Sequence, residues 1–171
     1  ITLESCALSL IALADCMEAS GDTAYLPACQ ALGAGILSLL DTETGAFTHV
    51  LDAETLSRTE AFCSAAWDGM GVTALCRLYG LTEDALWLWA ARLALEHMIA
   101  EDYTQYGEAW TACAVREMTR YDRSRADYFA FALKNAQRSL PAICQAETAF
   151  PAGLELLTAS YESYRQMLDA G

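Results

Sequence analysis

The chain has 171 residues, 54% of them hydrophobic and 19% charged, against usual values of about 45–50% and about 25%. That apolar excess excludes disorder and suits helices buried on more than one side. A net charge of −13, with no basic stripe to offset it, excludes a nucleic-acid backbone and disfavours an anionic membrane surface.

Hydrophobic periodicity and helix breakers predict seven helices. The first covers 3–19 and stops at Ser20-Gly21-Asp22. The second runs from about 23 to 40, or from nearer Tyr25, with Pro27 in or just past its first turn. "DTETGAFTHVLDAETLSRTE" follows; its Thr44-Gly45 turn signal and the β character of "AFTHVL" predict a short hairpin or extended loop. A third helix covers about 62–79 and ends at Gly80, and Thr82 is the expected N-cap of a fourth over 83–100. The fifth covers about 106–120, the sixth about 124–140 with Pro141 as its stop, and the seventh about 149–168 with Pro151 in its first turn. The longest apolar stretch, "LWLWAARLALEHMIA", is broken by Arg92, Glu96 and His97, so no membrane span is expected.

These segments repeat. Residues 12–26 ("ALADCMEASGDTAYL") lie over 74–88 ("ALCRLYGLTEDALWL") without a gap, and 114–129 ("AVREMTRYDRSRADYF") form a looser copy. Each is a helix end, a polar turn and the start of the next helix. A period near 40 residues marks stacked helix pairs, in open solenoids or closed toroids. Helices after the polar turn carry a polar stripe, with Arg92 and Glu96 on one and Lys134 and Arg138 on another. They read as an outer layer, on which Trp87, Trp89, Tyr128 and Phe129 are packing residues. The helices before the turn are rich in Ala, Gly and Cys and read as an inner layer. The expected fold is a single all-α domain over 1–171, of tandem antiparallel helical hairpins.

Seven widely spaced cysteines, no CxxC and only two histidines imply neither a disulfide framework nor a metal site. Unpaired cysteines favour a cytoplasmic setting. No phosphate-binding glycine loop, nucleophile elbow or acidic diphosphate-binding cluster is present, and no cofactor is implied.

The hairpin pattern "L-x-x-L-Y-x-L-T-x-D-x-x-[YW]-L" with a "G-A-F" loop resembles the six-hairpin (α/α) toroid proteins. These include N-acylglucosamine 2-epimerase-like, unsaturated glucuronyl hydrolase and glucuronyl C5-epimerase-like enzymes. The matching inner-helix starts are Trp67-Asp68-Gly69, Tyr106-Gly107-Glu108-Ala109-Trp110 and Glu147-Thr148-Ala149-Phe150-Pro151. The resemblance implies a central cup that holds a sugar. Such a toroid has about twelve helices, so seven imply a partial one, completed by a longer chain, a homo-oligomer or another partner. A Gly69-Met70 pair stands where Gly-Glu is common in such repeats.

Within that frame the activity is that of a hydrolase, epimerase or lyase acting on a sugar or uronic acid. A carboxyl pair supplies acid and base or nucleophile, tyrosine moves protons, and aromatic rings stack on the sugar. Glu108, Asp68, Glu147 and Tyr106 are the catalytic candidates; Trp67, Trp110, Tyr103 and His49 are the binding candidates. Each has an ordinary alternative. Acids at helix starts cap helices or answer the dipole, and large aromatics pack cores. The acidity of the chain disfavours a polyanionic substrate unless arginines line the cup. A non-catalytic helical-repeat scaffold that binds a protein or peptide on its concave face fits the same repeats.

Overall fold

A computed structural model describes residues 1–55, 57–59, 64–145 and 150–170. Among them are seven α-helices: α1 (Leu3–Ser20), α2 (Leu26–Leu39), α3 (Ala65–Thr82), α4 (Ala85–Ala100), α5 (Ala109–Tyr121), α6 (Ala126–Gln145) and α7 (Pro151–Ala170). A 3-10 turn over Tyr103–Tyr106 precedes α5. Two short strands, β1 (Val50–Leu51) and β2 (Arg58–Thr59), pair antiparallel in the loop after α2, as the β character of "AFTHVL" predicts. The fold is all-α.

Local chemistry sets the helix ends. Thr2 caps α1 by accepting from the Ser5 N–H, and Asp84 caps α4 by accepting from the Leu86 N–H. Three expected boundaries are corrected. α3 runs through Gly80 to Thr82 and closes on Glu83, which takes a left-handed conformation (φ 55°) and donates its N–H to the Tyr79 carbonyl. Thr82 is therefore the last residue of α3, not the N-cap of α4; its hydroxyl donates back to the Leu78 carbonyl. Pro141 does not stop α6, which contains it and continues to Gln145. α5 begins at Ala109, later than expected, because Tyr103–Tyr106 form a separate turn.

The helices form two layers. α1, α3, α5 and α7 pack side by side in that order, and α2, α4 and α6 lie against them. The four members of the row run parallel, as their contacts show. Gly69 of α3 abuts Trp110 of α5 and Arg77 meets Glu117. Arg116 of α5 meets Glu162 of α7 and Thr119 bonds Gln166. In each pair of helices the residue numbers rise together. This row holds the helices that the Ala- and Gly-rich sequences assign to an inner layer.

α3 sits at the centre of the packing, buried without interruption from Asp68 to Cys76. Its closeness to α5 depends on Gly69, where a Cβ would come within 2.5 Å of the Trp110 carbonyl. Leu75, Leu78, Leu95, Met98, Met118 and Tyr128 are fully buried and make one core between the layers. Trp87 and Phe129 are buried as expected of packing residues, but Trp89 is 46% exposed, because it lies on the face of α4 opposite Trp87. Among the described residues no helix is long and apolar enough to cross a membrane.

Candidate functional site

The starts of α3 and α5 bound a cavity of about 440 Å³, closed on a third side by the loop after α2. Volumes of about 300–1,000 Å³ are typical of small-molecule sites. The cavity is lined by His49, Asp68, Tyr103, Tyr106 and Glu108, with Phe47, Ser64 and two alanines. Five of the eight candidates from the sequence therefore share one space.

The loop that brings His49 there is tied down along its length. Asp41 folds an Asx turn over Glu43 and Thr44, the Thr48 N–H donates to the Leu39 carbonyl, and the His49 carbonyl accepts from Leu3. Phe47 packs toward Gly71 of α3. His49 is only 4% exposed, so it is a buried member of the site and not a surface residue at its mouth.

His49 Nε2 lies 2.6 Å from Asp68 Oδ1, and Asp68 is also 4% exposed. The Ser64 backbone N–H donates to His49 Nδ1 at 3.0 Å. A ring nitrogen that accepts a bond carries no proton, so the hydrogen of the neutral imidazole sits on Nε2 and is donated to Asp68. The imidazole thus holds the carboxylate in place, with the Trp67 ring 5.5 Å away, centroid to centroid. Burial, then the neighbouring Asp68 carboxylate, push the Tyr103 phenol well above its ordinary range. Tyr103 and Tyr106 meet edge to face at 5.5 Å, and Tyr106 is 56% exposed, with its ring open to a ligand.

Glu108 arrives by a different device. Gly107 takes a left-handed conformation (φ 65°) that separates the 3-10 turn from α5, leaving Glu108 at the N-cap. An N-cap side chain ordinarily accepts a backbone N–H, but that of Glu108 makes no cap bond. Its carboxylate has no hydrogen-bond or ion-pair partner among the described residues and lines the cavity. Among the described residues no lysine or arginine lines the same space.

The remaining candidates lie elsewhere. Trp67 packs behind His49 against the core. Trp110 lines a separate cavity of about 340 Å³ on the open face of the row, with Thr73, Arg116 and Leu154. It is not part of the His49–Asp68 site. Glu147 lies outside the described residues. Ser64, which fixes the histidine tautomer, was missed, and it acts through its backbone, which leaves no trace in residue type. A neighbouring cavity of about 350 Å³, lined by Ile143, Phe150 and Leu156 but also by Arg138 and Ser139, shares Tyr106 and Glu108 with the first. Among the described residues no group of three or more His, Cys, Asp or Glu side chains could hold a metal ion. Comparison with protein-family models, with curated proteins and with solved structures finds no match to the chain.

Proposed function

We propose that the chain binds a sugar in the cavity between the starts of α3 and α5 and performs acid–base chemistry on it, as an arc of an (α/α) toroid. The observation that carries this reading is Glu108, an N-cap carboxylate left unbonded on the wall of a cavity that also holds a buried carboxylate and two tyrosines. In this reading Glu108 takes and returns the proton. Asp68, clamped by His49, is the second carboxylate that a glycosidase-type or epimerase-type step needs. The open ring of Tyr106 stacks on the sugar, and the raised Tyr103 stays protonated and donates. A neutral sugar fits better than a uronic acid, since two carboxylates line the cavity and no cation does.

Saturation-transfer NMR with glucose, N-acetylglucosamine and glucuronic acid tests the binding. Transfer to a neutral sugar, lost in Tyr106→Ala and Glu108→Gln, is the expected result. The same samples followed in deuterium oxide report hydrolysis or exchange at a sugar carbon. Absence of transfer to any of the three, or transfer that both variants keep, overturns the reading.

A second reading, a scaffold for a protein or peptide, is favoured by α7. Its Leu154, Tyr161, Tyr164 and Leu168 are all more than 45% exposed, a large apolar face for one helix. The saturation-transfer measurement separates the two readings, because a scaffold face on α7 predicts no transfer to any of the three sugars.

A further inference from the structure

The inner row carries a second cavity, of about 550 Å³, toward the helix ends. Arg77 lies nine residues beyond Asp68 on α3, and Arg120 twelve beyond Glu108 on α5. At 1.5 Å per residue these separations are about 13 and 18 Å along the helix axes. The wall of this cavity holds Arg77, Arg116, Arg120, Arg123 and Arg165, together with the carboxylates of Glu117, Glu162 and Asp169. The chain has ten lysines and arginines in all, so half of its cations converge on one space of a protein with net charge −13.

Internal ion pairs account for only part of this cluster. Glu117, 2% exposed, accepts from Arg116 at 3.0 Å and from Arg120 at 2.8 Å. Arg77 pairs with Asp15 and Glu18, and Arg116 also with Glu162. The Nε groups of Arg77 and Arg116 are buried with no hydrogen-bond acceptor among the described residues, though Arg77 Nε lies 3.8 Å from Glu117 Oε2. Arg123 makes one bond, from Nε to the Thr119 carbonyl, and Arg165 makes no hydrogen bond or ion pair with a described residue. Glu117 has already drawn the cluster together, yet among the described residues neither Arg123 nor Arg165 forms an ion pair, although Asp169 lines the same cavity.

We propose that this cavity binds a phosphoryl group of a small molecule, with Arg123 and Arg165 as its principal ligands. One bidentate arginine satisfies a planar carboxylate. A tetrahedral dianion accepts from several directions, which suits forks presented from the α5–α6 turn and from α7. Arg120, held by Glu117, adds a third positive charge at the same wall.

Isothermal titration of the whole chain with inorganic phosphate, at constant ionic strength, tests this site. Saturable binding is expected, weakened about tenfold or more in Arg123→Gln/Arg165→Gln and less in Arg165→Lys, which keeps the charge and loses the fork. Both arginines are exposed and lack ion pairs, so the double variant retains the fold, which far-ultraviolet circular dichroism checks. Arg58→Gln, at a distant strand, controls for net charge, and Glu108→Gln shows independence from the sugar site. No saturable binding, an equal response to chloride, or binding that the double variant keeps within about twofold overturns the proposal.

Discussion

Replacing His49 with alanine tests the construction of the site, because the imidazole serves two partners at once. The variant leaves the buried Asp68 carboxylate without the donor now 2.6 Å from it. A hydrogen bond to a charged group is worth about 1.5–3 kcal/mol. The half-buried Ser64 N–H loses its acceptor as well, for about 1 kcal/mol. Together these losses come to about 2.5–4 kcal/mol, a large share of the roughly 5–15 kcal/mol that keeps a domain folded. For a chain of this size each kcal/mol moves Tm by about 2–4 °C, so calorimetry should show a fall of about 10 °C. The double variant His49→Ala/Asp68→Ala removes the stranded charge along with the imidazole. It should therefore be less destabilised than the sum of the single variants, with a coupling of about 1.5 kcal/mol or more. A loss below about 1 kcal/mol for His49→Ala, or singles that add within about 0.5 kcal/mol, would refute the reasoning.

Three further outcomes follow from individual contacts. Gly69→Ala drives a Cβ to 2.5 Å from the Trp110 carbonyl; it should lower stability by about 2 kcal/mol in urea unfolding despite the better helix former, because backbone and not a side-chain tip must yield. Asp102 is held down to a pKa of about 2, by hydrogen bonding from Lys134 first, then Thr104, with Arg138 adding attraction. A depressed carboxylate stabilises the fold fully above its ordinary pKa of 3.8 and loses that contribution as pH falls toward about 2, so Asp102→Asn should flatten the urea midpoint over that interval. Brief iodoacetamide treatment near pH 8 should alkylate the exposed Cys16 and Cys144; buried Cys29 and Cys76, and Cys113 with its pKa pushed up to about 11 by burial, should react only after denaturation, as read by peptide mass spectrometry.

Periodicity made the seven helices and the two layers legible, since it records which faces are buried. Boundaries that depend on rarer backbone states were not. Gly80 is the residue most suited to end a helix, but α3 ends three residues later on a glutamate in a left-handed conformation. Proline is a strong helix stop in general, yet Pro141 lies within α6, four residues before its end and exposed. The site was legible in kind and only partly in place. Glu108 and Asp68 were found because acids at inner-helix starts stand out in an apolar sequence. That His49 reaches Asp68 across nineteen positions depends on the path of the loop, which no local pattern encodes. Trp110 shows a signal that was available. Residues two apart on a helix do not face each other, so the start of α5 could not turn both Glu108 and Trp110 into one cavity.

The parallel row bears on both cavities. α1, α3 and α5 begin with Glu4, Asp68 and Glu108, at ends where the helix dipoles are positive. Arg120 lies in the last turn of α5 and Arg123 just past it, where the dipole is negative. Antiparallel bundles alternate these ends and cancel them, whereas side-by-side parallel helices repeat the same sign along each edge. The row therefore favours carboxylates at one edge and guanidinium groups at the other before any ligand is considered. Each edge goes beyond what the dipoles require. Asp68 is buried and clamped, Glu108 is left uncapped, and Glu117 gathers two arginines on α5 beside an arginine from α3. A dipole effect is satisfied by charges standing in water near a helix end. It does not call for a carboxylate buried against a histidine, or for two arginines without an ion pair among the described residues around a cavity, and it is these departures that mark the two places as candidate sites.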